Sequence, residues 1–264
     1  MKVIRVAAMQ AGIRGAVANG DTKRRRSLGA ALLAGLAMCL LLGQVRGAEP
    51  PASNLALWYD ADKAQGTELV TKWPNSAKDD AFPTKLTGLA PAVGKAESAP
   101  RKVASAIHGQ PAIHFDGVKN LLTTGAFNLP QPFETFVVAK LGKNEGHLFC
   151  SANMSKLCAI GAFSASGGDT NIFMSCGRSQ SPQAPRRSFS GRFGILDGLV
   201  NGANSFYAVN GVAVGHDNPG ANGIEGGLAL GAAANGMWPG DIDVAEILVY
   251  KAALSDQQRQ DVMK

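Results

Sequence analysis

Near its C-terminus the chain reads Asp241-Ile242-Asp243-Val244-Ala245-Glu246, three carboxylates within one short stretch. Retaining glycoside hydrolysis needs two carboxyl groups about 5–5.5 Å apart, one as nucleophile and one as acid. Alternate residues of a strand point to one face. Asp241 and Asp243 therefore share a side, and a bulge after Asp243 would bring Glu246 to it as well. The plainer expectation is that Asp241 and Asp243 open an edge strand while Glu246 faces solvent. Sugar-cleaving clefts need aromatic walls, and only Trp58, Trp73 and Trp238 are available. Trp238, in a loop between Met237 and Pro239, is the aromatic best suited to a sugar platform. Trp238, Asp241 and Asp243 are accordingly the candidate binding residues, and no catalytic residue is assigned.

Calcium is the other chemistry the residue types would suit, because a hard cation takes carboxylate and carbonyl oxygen. Asp60, Asp62, Asp116, Asp241 and Asp243 qualify by type alone, and aspartates beside glycine more commonly hold turns. No metal ligand is assigned and no cofactor is required. His108, His114, His147 and His216 are scattered. His114, beside Phe115, reads as an outward or hydrogen-bonded strand residue. No Gly-x-Ser-x-Gly elbow is present, and Gly226-Gly227 and Gly231 lie in strand-and-turn context, so a phosphate cradle is unsupported.

Short apolar stretches separated by Gly, Pro, Asn and Asp clusters must position these residues, a pattern of many short strands. They are Leu55–Tyr59, Ala112–Phe115, Phe133–Leu141, Leu148–Cys150, Cys158–Gly161, Asn171–Met174, Ser205–Val209, Val212–Val214, Gly227–Gly231 and Asp243–Tyr250. Asn210-Gly211 between two of them predicts a tight hairpin, since both residues tolerate positive φ. Trp58, Phe115, Phe136 and Tyr250 sit in strands that a sandwich must bury. Helix is expected only at the end, where Ser255 and Gln258 form a capping-box pattern. Segments 74–105 and 177–192 carry no clear pattern and are expected to be loops.

The first 47 residues do not read as fold. Lys23 to Arg26 form a basic run, Leu28 to Leu42 an apolar stretch of 15 residues, and small residues follow, the three parts of a secretory signal peptide. Cleavage is expected after Gly47, leaving a domain of residues 48–264 that is secreted or held at the cell surface, with no membrane span once the leader is gone. Residues 1–47 contain eight of the 26 Lys and Arg but one of the 20 Asp and Glu. The mature part thus carries 18 basic and 19 acidic residues, and the pI of 9.2 belongs to the leader. No basic footprint remains for nucleic acid. Three cysteines stay in the domain: Cys150, Cys158 and Cys176. Export permits a disulfide. Cys150–Cys158 would staple a hairpin and Cys158–Cys176 would tie neighbouring strands, with the odd thiol free or paired to another chain.

Several segments, in order, resemble the bacterial laminin-G-like jelly-roll domains of the concanavalin A-like superfamily. They are Leu55-Ala56-Leu57-Trp58-Tyr59-Asp60-Ala61-Asp62, Trp73-Pro74-Asn75-Ser76, Gly109 to Gly117, Asn210-Gly211, and Gly240-Asp241-Ile242 followed by Ala245 to Tyr250 and Leu254-Ser255-Asp256. Asp243-Val244 is an insertion relative to that family's closing strand. Two extra residues keep strand parity, and a wide bulge or a longer strand start would absorb them. The resemblance implies an all-β sandwich of two antiparallel sheets with a short C-terminal helix, acting as an extracellular module that binds a glycan or a surface protein. The same superfamily includes laminarinase-type hydrolases with Glu-x-Asp-x-x-Glu. Asp241 is one methylene shorter than that first Glu, and nucleophile placement tolerates little error. A non-catalytic binding role is therefore expected, with a hydrolase using Asp241, Asp243 and Glu246 and a structural module of a surface assembly as the alternatives.

Overall fold

A computed structural model describes residues 49–77, 92–142, 146–163, 171–178, 183–185 and 191–264. The leader and its cleavage point lie outside the described residues, as do most of 177–192 and residues 78–91. The described chain forms two eight-stranded antiparallel sheets. The first contains β1 (Leu55–Asp60), β4 (Arg101–Ile107), β5 (Gln110–Asp116), β7 (Phe133–Leu141), β12 (Gly194–Val200), β13 (Phe206–Val209), β14 (Val212–His216) and β16 (Asp241–Tyr250). The second contains β2 (Lys72–Trp73), β3 (Ala92–Val93), β6 (Leu122–Thr123), β8 (Phe149–Ser151), β9 (Cys158–Phe163), β10 (Asn171–Cys176), β11 (Gln183–Pro185) and β15 (Leu228–Leu230). A single α-helix among the described residues, α1 (Asp256–Val262), closes the chain with the expected capping box of Ser255 and Gln258.

The inner faces meet in one core, to which β16 gives Ile242, Val244, Ile247 and Val249 and β7 gives Phe133, Val137, Ala139 and Leu141. Phe115 lies in this core, but Trp58, Phe136 and Tyr250 do not. They face outward from the first sheet and form a second apolar layer with Leu254 and Val262 beneath α1. At the hairpin, Asn210 and Gly211 take φ of 51° and 78° between the paired Val209 and Val212. The segment expected to be loop before residue 105 instead supplies β3 and the edge strand β4.

Cys158 and Cys176 form a disulfide between adjacent strands β9 and β10, a bond that oxidising compartments preserve. Cys150 is free and buried, and burial pushes its thiol up to about 12. The odd cysteine is therefore withdrawn from solvent rather than presented to another chain.

Candidate functional site

The acidic motif lies on β16, between β7 on one side and β5 followed by β1 on the other. This overturns the expectation of an edge strand: the closing strand is central because both its ends find partners. Pairing with β7 shifts register between Val244 and Glu246. The extra residue reverses the alternation, so Asp243 and Glu246 both end on the outer face.

Glu246 does not face solvent. It is buried, and the Trp58 indole donates to its Oε1 at 2.7 Å. Burial raises its carboxyl from 4.5 to about 8, against the lowering effect of that hydrogen bond. The reason is the neighbourhood: Val138 and Asp60 flank it in register, and the apolar layer under α1 begins at the next outward residue, Leu248. Asp243 is also buried, held between His114 Nδ1 at 2.8 Å and the Lys140 ammonium. His114 is outward and hydrogen-bonded, as expected. Asp241 is partly exposed at the start of the strand. Its carboxylate lies against Gly142 at the end of β7, where a Cβ would come within 2.0 Å of Oδ2 and would require the Asp241 side chain to move.

The aspartates considered for calcium fall into two groups, Asp60 with Asp62 and Asp116 paired across from Asp241, and the bonds observed in each are those of turns and strand ends. Asp116 Oδ1 accepts from the backbone N–H of Val118, Lys119 and Asn120, a turn that fixes the end of β5. Asp60 Oδ1 accepts from Asp62 N. Among the described residues no three His, Cys, Asp or Glu side chains converge as a metal site.

Trp238 differs from every other aromatic described so far. Trp58 and Trp73 are buried with their indole N–H groups committed, to Glu246 and to the Asp60 carbonyl. Trp238 is 43% exposed, next to Met237 at 49%. Its φ is 50°, a region costly for a bulky side chain. Strain of this kind persists where the surroundings over-determine it, and it clusters at functional sites. Here the surroundings are His147 and two glycines. The His147 ring stacks on the indole with centroids 5.2 Å apart and planes at 30°, and His147 N donates to Trp238 O at 3.2 Å. Gly146 and Gly240 are in backbone contact, since a Cβ on the first would lie 2.3 Å from the second's Cα. Gly240 N also donates to Gly231 O at 2.7 Å. The turn after β15 is thereby clamped onto the segment that leads into β8, with the indole outward. Of the three residues singled out in the sequence, Trp238 and Asp241 lie at this rim and Asp243 lies one row into the sheet. His147 was missed, because a lone histidine carries no signal of the tryptophan that packs on it.

No protein-family model and no curated protein matches the chain. Solved structures do. A sialidase of Trypanosoma rangeli in complex with sialic acid superposes with a TM-score of 0.55 at 9% identity, over 83% of this chain and 34% of the sialidase. This chain therefore spans about a third of that protein's length. Domain 4 of AbnA, an extracellular GH43 arabinanase of Geobacillus stearothermophilus in complex with arabinotriose, gives 0.52 at 18% identity, over 80% of this chain and 99% of that domain. At these identities the likeness establishes a shared β-sandwich fold.

Proposed function

We propose that the chain is an exported glycan-binding module of the laminin-G type, which captures a polysaccharide on Trp238 at the sandwich rim and does not cleave it. The observation that carries this reading is the outward indole of Trp238, kept at positive φ by the contacts of its turn. A flat aromatic face with adjacent apolar and carboxylate groups suits a sugar ring, whose C–H face stacks while its hydroxyls bond at the edge. Met237, exposed in the same turn, and Asp241, three residues on at the start of the strand, are the candidates for those neighbours. The likeness to an arabinanase domain solved with arabinotriose supports the same ligand class. The leader pattern and the Cys158–Cys176 disulfide support export.

A hydrolase is the competing reading. In its favour, the bulge brings Asp243 and Glu246 to one face, and Glu246 keeps its proton at neutral pH. Against it, Glu246 is buried with Oε1 engaged by an indole, and Asp243 is engaged by the His114 ring and the Lys140 ammonium. An acid must reach the glycosidic oxygen to protonate it. The test is affinity electrophoresis of the processed protein through arabinan, xylan and β-glucans, with reducing sugar measured in parallel. Retardation by at least one polymer, abolished in Trp238→Ala and without sugar release, is expected. Sugar release that disappears in Glu246→Gln would establish the hydrolase instead.

A further inference from the structure

We propose that His147 is the positioning residue for this platform: its neutral imidazole props the Trp238 indole outward, and gaining a proton dismantles the prop. The proposal rests on the glycan-binding reading for its purpose, but its physical content concerns the turn alone.

His147 is 7% exposed and its Nδ1 has no hydrogen-bond partner. A buried polar atom left without a partner costs free energy, and it is kept here at the one ring that stacks on Trp238. The contacts around it leave little room to yield. His147 N is tied to Trp238 O, and Gly146 and Gly240 are already in backbone contact. The neighbouring Leu148 packs into the inter-sheet core and covers Gly161 on β9. An uncharged ring can fill this slot; an imidazolium must place a charge and an Nδ1–H donor without an acceptor in it, which buried surroundings do not tolerate.

The electrostatic surroundings agree. Burial lowers the His147 titration from 6.5 to about 4, and among the described residues no charged side chain contributes to that shift. Asp241, the charged residue nearest in sequence on the packed strand β16, lies against Gly142. An opened turn would titrate near 6.5, as a solvated histidine does. The ratio of closed to open turn should then fall by about tenfold for each pH unit below 6.5, levelling near pH 4. At neutral pH the platform is fixed; in acid it loosens.

The experiment needs no glycan at its first stage. The Trp238 indole N–H and the His147 ring are followed by NMR from pH 7 to pH 3.5. We expect His147 to titrate well below 6.5, with the Trp238 indole signal moving on the same curve while those of Trp58 and Trp73 do not share it. His147→Phe, which retains an aromatic ring, should leave the Trp238 signal flat across this range. His147→Ala should shift it already at neutral pH. A wild-type His147 midpoint near 6.5, or a Trp238 signal insensitive to both substitutions, would overturn the proposal, and the wild-type titration decides even if a variant fails to fold. The second stage uses a polymer retained by the wild type at pH 7. Affinity should be kept within about threefold in His147→Phe and fall at least tenfold in His147→Ala, as loss of an aromatic platform does. If no polymer is retained, the glycan-binding reading fails, while the titration still judges the prop.

Discussion

Two regions of the molecule use charged and aromatic residues in opposite ways. Under α1, Glu134 is fully buried. It accepts from Arg259 Nε at 2.6 Å and Nη2 at 3.3 Å and from the Leu254 backbone at 2.7 Å. Asp197 lies beside this pair, held well above the usual carboxylate range by burial and then by Glu134. Arg259 also stacks on Phe206 at 4.8 Å. Every strong interaction there is internal, and the cluster's work is to dock the C-terminal helix. At the rim, the contacts of His147, Gly146 and Gly240 do the reverse: they keep Trp238 in water in a costly backbone conformation. Burial of an ionisable group can thus serve helix docking alone, as it does under α1. The proposed glycan-binding role rests instead on an aromatic ring kept exposed against its own preference.

The contrast predicts a graded set of effects. Arg259→Ala should be the most damaging, by about 3–5 kcal/mol, because it leaves Glu134 buried without its cation; urea unfolding measures it. Replacing Cys158 and Cys176 by serine should cost about 3 kcal/mol through the freed loop, read by the same method. Glu246→Gln should behave differently. The folded carboxyl holds its proton up to about pH 8 whereas the unfolded one releases it near 4.5. Its contribution is thus complete below pH 4.5 and is lost as pH rises toward 8. The glutamine variant should match the wild type at pH 4 and be clearly the more stable of the two at pH 8. Unfolding curves at the two pH values check this, and equal pH dependence in both proteins would contradict the burial of Glu246. Trp238→Ala should change stability least, by about 0.5 kcal/mol or less, while abolishing the proposed glycan binding. A loss comparable to that of Arg259→Ala would mean that Trp238 is a packing residue and erase the contrast.

Much of the scaffold is visible in the sequence, and the omissions have physical causes. Phe133–Leu141, the Asn210-Gly211 hairpin and the Ser255 cap are local patterns, and the structure follows them. The strand Gly194–Val200 is not legible, because Asp197-Gly198 in its middle reads as a turn. In the structure Asp197 joins the cluster under α1, and Gly198 makes room for Tyr207 and Met174. Strands of two or three residues, such as Leu122–Thr123, are too short to show periodicity. Trp238 and Asp241 could be chosen by type and loop context. The burial of Glu246 could not be foreseen, since its partner Trp58 lies 188 residues away in sequence. For the same reason the edge-strand expectation failed: strand order is a property of long-range pairing.

The account turns on Trp238 being the surface that meets the ligand. An NMR titration of the three indole N–H signals with arabinotriose, and with fragments of any polymer that retards the protein, tests it directly. The signal of Trp238 should move with saturation, while those of Trp58 and Trp73, bonded inside the sandwich, stay in place. Saturable binding that leaves the Trp238 signal unmoved would contradict the account.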